Sequence, residues 1–230
     1  MYHKVSVLVP TRKRVASLQR MIASYELNTP PSQAEMIFRI DEDDLETQMF
    51  LLNNGAYETI VGPRGEGYKS IPQYFAEMLA RASGTLILCG NDDMEFQTPR
   101  WTEHVFALAE RYPDGLFAIG VETFNAQNFP FTIVSKKMVD RMGSLYDDRL
   151  LFHDVYLRDV AASFGRALRL PSVTIAHHWA GFAPDEVRKE AAGVQGETVY
   201  APDGGWKDSY TRLHVQAVRE RVKILLGEQA

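Results

Sequence analysis

The chain has 230 residues, of which 45% are hydrophobic and 24% are charged. These ordinary globular values exclude a disordered chain, a coiled coil and a collagen-like fibre. At about 150 residues per domain, the length favours one α/β domain with an added C-terminal segment over two independent cores. With 25 basic and 30 acidic residues the net charge is −5, so no strong basic excess drives general nucleic-acid binding.

The single cysteine, Cys89, ends the apolar run Leu86–Cys89. One cysteine cannot form an internal disulfide, and no cysteine-rich metal spacing exists, so we expect a buried free thiol and a reducing compartment. The N-terminus lacks a signal-peptide pattern, and the apolar runs are far shorter than the roughly 18 residues of a membrane helix. These features predict a soluble protein of the cytoplasm.

Strands and helices alternate through the first 120 residues. Short apolar, β-branched runs predict strands at 5–9, 36–40, 59–61, 85–89 and 116–121. Helical spacing or composition predicts helices around 18–25, 70–82 and 100–112, and a further helix that ends at about residue 54. This order is typical of a Rossmann-related, mostly parallel sheet with helices on its faces.

The second half of the chain is less regular. Its pattern predicts helices at 136–142 and 153–164 and a strand at 173–176. Glycines, prolines and weak periodicity predict a mobile loop over 180–207. Val215, Val218, Val222 and Leu225 predict a closing amphipathic helix. We therefore expect one domain over 1–180, with the loop and helix of 181–230 packed on it.

Polar residues follow three of the predicted strands: 10–12, 41–44 and 91–93. Ligands of open α/β sheets collect at the carboxyl ends of the strands. Acidic side chains gathered there repel one another, and a divalent cation with a bound phosphate would relieve the repulsion. The pattern predicts a metal–nucleotide site, with solvated acidic loops as the alternative for any single cluster.

Several motifs resemble family-2 glycosyltransferases of the GT-A fold over about residues 5–180. Residues 5–14 (VSVLVPTRKR) resemble the opening strand and loop, and Ile40-Asp41 is similar to the second strand and its terminal acid. The run at 82–93 resembles the strand that ends in the Asp-x-Asp motif, and Pro99-Arg100-Trp101 resembles the helix start after it. The resemblance implies a sugar-nucleotide donor, with a uridine diphosphate sugar expected, and Mn²⁺ or Mg²⁺ as cofactor.

The Asp-x-Asp resemblance implies that Asp93 is a metal ligand. Asn91 replaces the first acid of the motif, which removes one negative charge. Its amide oxygen can still ligate or orient a ribose hydroxyl, and a plain turn residue is the alternative. The predicted donor-binding residues are Pro10, Thr11, Arg12, Arg14, Asp41, Arg64, Tyr68, Asn91 and Asp92.

The second half supplies the remaining parts of the resemblance. His153-Asp154 resembles the Glu-Asp motif at a helix start, which implies that Asp154 is the catalytic base of an inverting transfer. A metal-binding histidine is expected after the strand near 176. Which of the two neighbours faces the site depends on strand register, because adjacent strand residues face opposite sides; His178 is the favoured ligand and His177 the alternative. The residues assigned to the acceptor site or a lid are Trp101, His153, Trp179 and Trp206.

The acceptor hydroxyl stays open among a glycan, a protein, a small molecule and a hydroxymethylated DNA base of the kind that some bacteriophage enzymes glycosylate. The DNA alternative depends on the basic residues of the last helix, Arg212, Arg219, Arg221 and Lys223. Two other functions are weighed. A non-catalytic nucleotide-binding or interaction module is one, and a sugar-phosphate nucleotidyltransferase is the other, although 10–14 lacks the glycine-rich opening of such enzymes.

Overall fold

The computed structural model describes residues 4–55, 57–123, 130–178, 199 and 206–228. The strands are β1 (Val5–Thr11), β2 (Ala34–Asp41), β3 (Glu58–Gly62), β4 (Leu86–Cys89), β5 (Met94–Phe96), β6 (Ala118–Glu122), β7 (Thr132–Ser135) and β8 (Ala167–His177). The helices are α1 (Val15–Asn28), α2 (Leu45–Asn54), α3 (Ile71–Leu79), α4 (Trp101–Ala109), α5 (Lys136–Met142), α6 (His153–Ser163) and α7 (Asp208–Leu226).

The strands form one mixed sheet in the order β3-β2-β1-β4-β7-β6-β8-β5. The first half is parallel, because β1 pairs in parallel with both β2 and β4, and β2 with β3. β7 runs antiparallel between β4 and β6, and β5 runs antiparallel to β8. The prediction of a mostly parallel sheet flanked by helices is confirmed.

Both faces of the sheet are covered by apolar helix faces. Alternate residues of β1 point to opposite sides, so Val7 packs in the cluster that contains α1 and α4, whereas Leu8 packs in the cluster that contains α3, α5, α6 and α7. Helix α7 rests on α5 and α6. Cys89 is a free, buried thiol, and burial raises its pKa to about 12, which keeps it protonated.

The sequence analysis missed two strands and made a third too short. β5 and β7 were not predicted, since three or four residues are too short for an alternation pattern to stand out. β8 is far longer than the predicted 173–176. Its pairing with β6 shifts between Leu170 and Thr174, and Pro171, which has no N–H to donate, lies in that irregularity.

The predicted loop at 180–207 lies outside the described residues except for 199 and the stretch from 206 onward. None of the helices in the described ranges combines the length and apolar character that crossing a bilayer requires.

Candidate functional site

The carboxyl ends of β1, β2 and β4 meet at one edge of the sheet. Thr11, the last residue of β1, donates a hydrogen bond from Oγ1 to Oδ2 of Asp92 (2.9 Å), in the turn after β4. Arg12 reaches the end of β2, where its Nη1 lies 3.1 Å from Oδ2 of Asp41. The three polar clusters predicted to converge therefore lie together at this edge.

Arg12 is the central cation of this edge. Its guanidinium makes two hydrogen bonds to Asp43, one of them 2.9 Å long from Nη2 to Oδ2. The hydrogen bond to Asp43, together with the charges of Asp41 and Asp44, raises the pKa of Arg12 against the opposing effect of burial. The exposed Arg64 lies 3.9 Å from the same Asp43 carboxylate, so two arginines flank one exposed acid.

The loop after β1 is fixed to the start of α2. Lys13 has a positive φ of 51°, and its backbone N–H donates to Oδ2 of Asp44 (2.6 Å). Asp44 is also the N-cap of α2, since its Oδ1 accepts from the N–H of Thr47 (3.3 Å). One buried carboxylate thus holds both segments in place beside Arg12.

Asp92 and Asp93 are both buried, whereas Asn91 is exposed. Asp92 accepts from Thr11 and from Nη1 of Arg14 (3.1 Å). Burial raises the pKa of Asp92 to about 6; the charge of Asp93 adds to this rise, and Arg14 opposes it. Two carboxyl groups held so close in a dry turn favour binding of a cation.

The two histidines at the end of β8 point to different partners. Nε2 of His177 lies 3.4 Å from Oδ2 of Asp93. His178 instead pairs through Nε2 with Glu95 of β5. The antiparallel register, with His177 opposite Met94, sets this choice, so the geometry favours His177, the alternative, as the partner of Asp93.

The metal-binding groups at this edge suit a cation whose remaining ligands come from a bound substrate. No cluster of three or more acidic, cysteine or histidine side chains able to hold a metal occurs within the described ranges. Asp93 and His177 offer one carboxylate and one imidazole. Mg²⁺ and similar ions are commonly bound by one or two protein groups together with substrate phosphates, so these two residues fit a metal–diphosphate site.

Asp154 lies in the first turn of α6 and is half-buried. Burial raises its pKa, while backbone hydrogen bonds and the charges of Arg158 and His177 lower it. The influence of His177 puts the Asp154 carboxyl within electrostatic range of the Asp93–His177 pair.

Two residues predicted for the acceptor site lie in the interior instead. Trp101 is fully buried, packs against Phe96 and donates from Nε1 to Thr29 (2.8 Å). His153 is buried beside the ring of Tyr146, with 4.7 Å between centroids. Neither side chain is exposed enough to contact an acceptor, because the helix starts that carry them are packed into the core.

The other predicted residues have mixed positions. Trp206 is half-buried and stacks on Phe152, with ring centroids 5.5 Å apart. Tyr68 is exposed in a 3₁₀ turn, and Pro10 is half-buried in β1. Trp179 lies outside the described residues.

Sequence reasoning missed Arg39 and Tyr74, which hold Asp41 from behind. Oδ1 of Asp41 accepts from Tyr74 Oη at 2.5 Å and lies 3.4 Å from Nη1 of Arg39. The available signal was a charged residue in the middle of the apolar run of β2, where only a fully paired cation is tolerated.

Neither protein-family models nor curated protein sequences match this chain. Solved structures do. GalNAc-T7 with UDP, GalNAc and Mn²⁺ is 14% identical with a TM-score of 0.60, over 76% of this chain and 44% of that one.

Two further structures match almost the whole chain. The mannosyltransferase PcManGT from Pyrobaculum calidifontis, in complex with GDP-Man and Mn²⁺, is 12% identical over 97% of this chain and 73% of that one, with a TM-score of 0.60. S. aureus TarS 1–349 is 13% identical over 96% and 72%, also with a TM-score of 0.60. The chain thus spans less than half of the GalNAc-T7 chain and nearly three quarters of the other two.

At these identities the comparisons establish the fold. The chain has an α/β, glycosyltransferase-like GT-A fold and is structurally similar to GT-A glycosyltransferases over most of its length. The fold expected from the family-2 resemblance is confirmed.

Proposed function

We propose that this protein is a metal-dependent, inverting glycosyltransferase that moves a sugar from a nucleotide-sugar donor to an acceptor hydroxyl. The observation that carries the proposal is the pairing of Asp93 with His177 at 3.4 Å, at the sheet edge where Thr11, Arg12 and Asp41 converge. Structurally similar proteins were solved with UDP or GDP-Man and Mn²⁺.

The donor nucleotide lies across the ends of β1, β2 and β4 in this proposal. Asp41 accepts hydrogen bonds from the nucleoside, and Arg12 and Arg14 supply positive charge for the diphosphate. Arg12 then exchanges part of its contact with Asp43 for phosphate oxygens, since both are anionic acceptors of comparable geometry.

Asp93 and His177 would hold Mn²⁺ or Mg²⁺ against the diphosphate. When bound, such an ion supplies electrostatic stabilisation of the leaving nucleoside diphosphate. The buried neighbour Asp92 is already engaged by Thr11 and Arg14, so its part is to hold the turn that presents Asp93.

Asp154 is the base of the transfer. Its carboxylate takes the proton of the acceptor hydroxyl, the acceptor oxygen forms a bond to the anomeric carbon, and the bond from that carbon to the diphosphate oxygen breaks with its electron pair leaving on the diphosphate. A pKa raised by burial makes Asp154 a stronger base than an exposed aspartate.

The first experiment is thermal unfolding of the protein with UDP, GDP and their sugar conjugates, each with and without Mn²⁺. A ligand at about 100 times its dissociation constant adds ~2.7 kcal/mol to native-state stability. A shift with one nucleotide that requires the metal supports the donor site. The absence of a shift with every nucleotide would remove the proposal, and binding without any turnover would favour a non-catalytic module.

Two variants separate binding from chemistry. Asp154→Asn should bind the donor like the wild type and lose transfer by a factor of at least about 100, because a positioned base contributes roughly 10²–10⁴ to the rate. Asp93→Asn should lose the metal-dependent part of donor binding. Transfer by Asp154→Asn at the wild-type rate would exclude Asp154 as the base.

One observation favours a hydroxymethylated base in DNA among the open acceptors. Arg212, Arg219 and Lys223 are exposed on one face of α7 and make no ion pair within the described part of the chain. Arg221, the fourth basic residue of the prediction, turns inward and bonds to Tyr156 Oη at 3.0 Å. The three outward cations suit a phosphate backbone.

A further inference from the structure

Arg39 is a buried cation behind the proposed donor site. Its side chain, on β2, is only 1% exposed although it carries a positive charge. Its guanidinium donates to Oε2 of Glu77 (2.6 Å), to the carbonyl oxygen of Ile40 (2.5 Å) and to that of Pro63 (2.9 Å). An apolar residue would fill such a site at lower desolvation cost, so the stability of the fold alone does not account for a buried arginine here.

Tyr74 of α3 joins the same network from the other side. Its hydroxyl donates to Oδ1 of Asp41 (2.5 Å) and accepts from the backbone N–H of Gly65 (2.7 Å). The guanidinium of Arg39 lies over its ring, 4.1 Å from the centroid. Burial and the Asp41 carboxylate raise the pKa of Tyr74 to about 12, so the phenol keeps the proton that it donates.

The glycine-rich loop at 62–65 fits closely against these two side chains. A Cβ atom at Gly62 would lie 2.8 Å from Nη2 of Arg39, and one at Gly65 would collide with the side chain of Ser70 and lie 2.6 Å from Oη of Tyr74. The loop can approach this closely only because both positions lack a side chain. Arg39 and Tyr74 therefore connect the loop to the Asp41 carboxylate.

The two oxygens of Asp41 are used differently. Oδ1 faces Tyr74 and Arg39, whereas Oδ2 faces Arg12 at the edge of the sheet. An ionised carboxylate only accepts hydrogen bonds, so the ligand group that meets Oδ2 must be a donor, such as a ribose hydroxyl or a base N–H.

We propose that Arg39 and Tyr74 are positioning residues that hold Asp41 and the loop at 62–65 as one unit, and that this unit sets how tightly the nucleoside half of the donor binds. The inference rests on the proposed function, since it concerns the same donor site. It assigns the diphosphate half to other groups, so the two halves of the ligand should respond differently to the same variant.

The test compares Tyr74→Phe with Tyr57→Phe. Tyr57 is a matched control, because its hydroxyl also donates to a carboxylate, Glu26, at 2.5 Å, but away from Asp41. Binding of UDP, GDP and inorganic pyrophosphate, each with Mg²⁺, is measured by calorimetry. Hydrogen exchange at the Gly65 amide is measured in the free proteins.

Tyr74→Phe should weaken binding of the preferred nucleoside diphosphate about tenfold, the effect of one lost hydrogen bond, with pyrophosphate binding within about twofold of wild type. Exchange at Gly65 should rise about tenfold, because its acceptor is lost. Tyr57→Phe should change neither readout.

Equal losses for nucleotide and pyrophosphate would reveal a merely structural role and overturn the proposal, as would unchanged nucleotide affinity or unchanged Gly65 exchange in Tyr74→Phe. A wild-type protein that binds neither nucleotide would remove the proposed donor site itself, and the positioning role with it. That outcome is distinct, because it appears before any substitution is made.

Discussion

Two neighbouring residues of α6, His153 and Asp154, show opposite effects of the same burial. Burial favours the neutral form of each group, so it raises the pKa of the Asp154 carboxyl and lowers that of the His153 imidazole to about 4. Within the described residues, Nε2 of His153 has no hydrogen-bond partner. Asp154 thereby gains basicity, and His153 becomes a source of acid sensitivity.

His153→Gln should make the protein less sensitive to acid. Because the folded pKa of His153 is below its unfolded value of 6.5, its contribution to stability is complete above pH 6.5 and is lost as the pH falls toward about 4. Between pH 7 and pH 5 the wild type should lose about 2 kcal/mol more unfolding free energy than the variant. Urea unfolding at both pH values measures this.

His104→Gln is the control for that experiment, since His104 is exposed on α4. It should retain the wild-type loss between the two pH values. A His153→Gln protein that loses as much stability as the wild type would show that another group controls the acid response.

At the scale of elements, the two ends of the parallel strands have different roles, one in the candidate site and one in stability. The carboxyl ends carry the candidate site, whereas the amino ends are joined by Glu35 of β2. Glu35 accepts from Ser6 Oγ of β1 (2.5 Å), from the N–H of Ser83 before β4 (2.7 Å) and from Lys4 Nζ (2.6 Å). One carboxylate therefore links three neighbouring strands at the edge opposite the site.

Glu35→Gln should destabilise the fold by about 2 kcal/mol at pH 7. Partial burial alone raises the pKa of Glu35, but the hydrogen bonds from Lys4, Ser6 and Ser83 outweigh it and lower the pKa to about 2. The contribution of Glu35 is complete above the unfolded value of 4.5 and is lost as the pH falls from there through the folded value of about 2. Chemical unfolding at pH 7 and at pH 3.5 should therefore show the difference shrinking in acid.

The matched surface variant is Glu58→Gln, which removes an exposed ion pair to Arg81 at 3.8 Å and should cost little. Nucleotide affinity should be unchanged in Glu35→Gln, because the site is at the other edge. A change in that affinity would contradict the separation of roles, and a stability difference as large at pH 3.5 as at pH 7 would contradict the role of the Glu35 charge.

At the scale of the whole molecule, the net charge is −5, but the outer face of α7 carries a local row of exposed cations. The helix is anchored near the proposed base, since Oη of Tyr210 accepts from the backbone N–H groups of Leu151 and Phe152 (3.1 and 3.2 Å). A polyanionic acceptor that binds along α7 would therefore contact a helix that is itself hydrogen-bonded to the segment before Asp154.

Wild-type protein should retard hydroxymethylated duplex DNA at low salt, with log affinity falling against log salt at a slope of about −2.7, the value for three phosphates. Replacing Arg212, Arg219 and Lys223 together by Gln should bring the slope close to zero. Gel retardation across a salt series measures both. Failure of the wild type to retard or glycosylate this DNA would remove it as the acceptor.

The sequence by itself determined the alternation of strands and helices, the three polar strand ends and the position of Asp154 in the first turn of a helix. These features are local, since hydrophobic periodicity and cap positions are set within a few residues. The mostly parallel α/β sheet could therefore be predicted from these local patterns, and with it the edge that carries Thr11, Arg12, Asp41 and Asp93, whereas the GT-A fold was implied by the family-2 resemblance.

Only the tertiary structure decided the features that depend on distant partners. The antiparallel pairing of β5 with β8 turns His177, not His178, toward Asp93. Core packing buries Trp101, and the contacts of Arg39 and Tyr74 with Asp41 join three separate segments. The physical reason is that register and long-range hydrogen bonds are fixed by the packed sheet and its helices, so no local pattern in the chain encodes them.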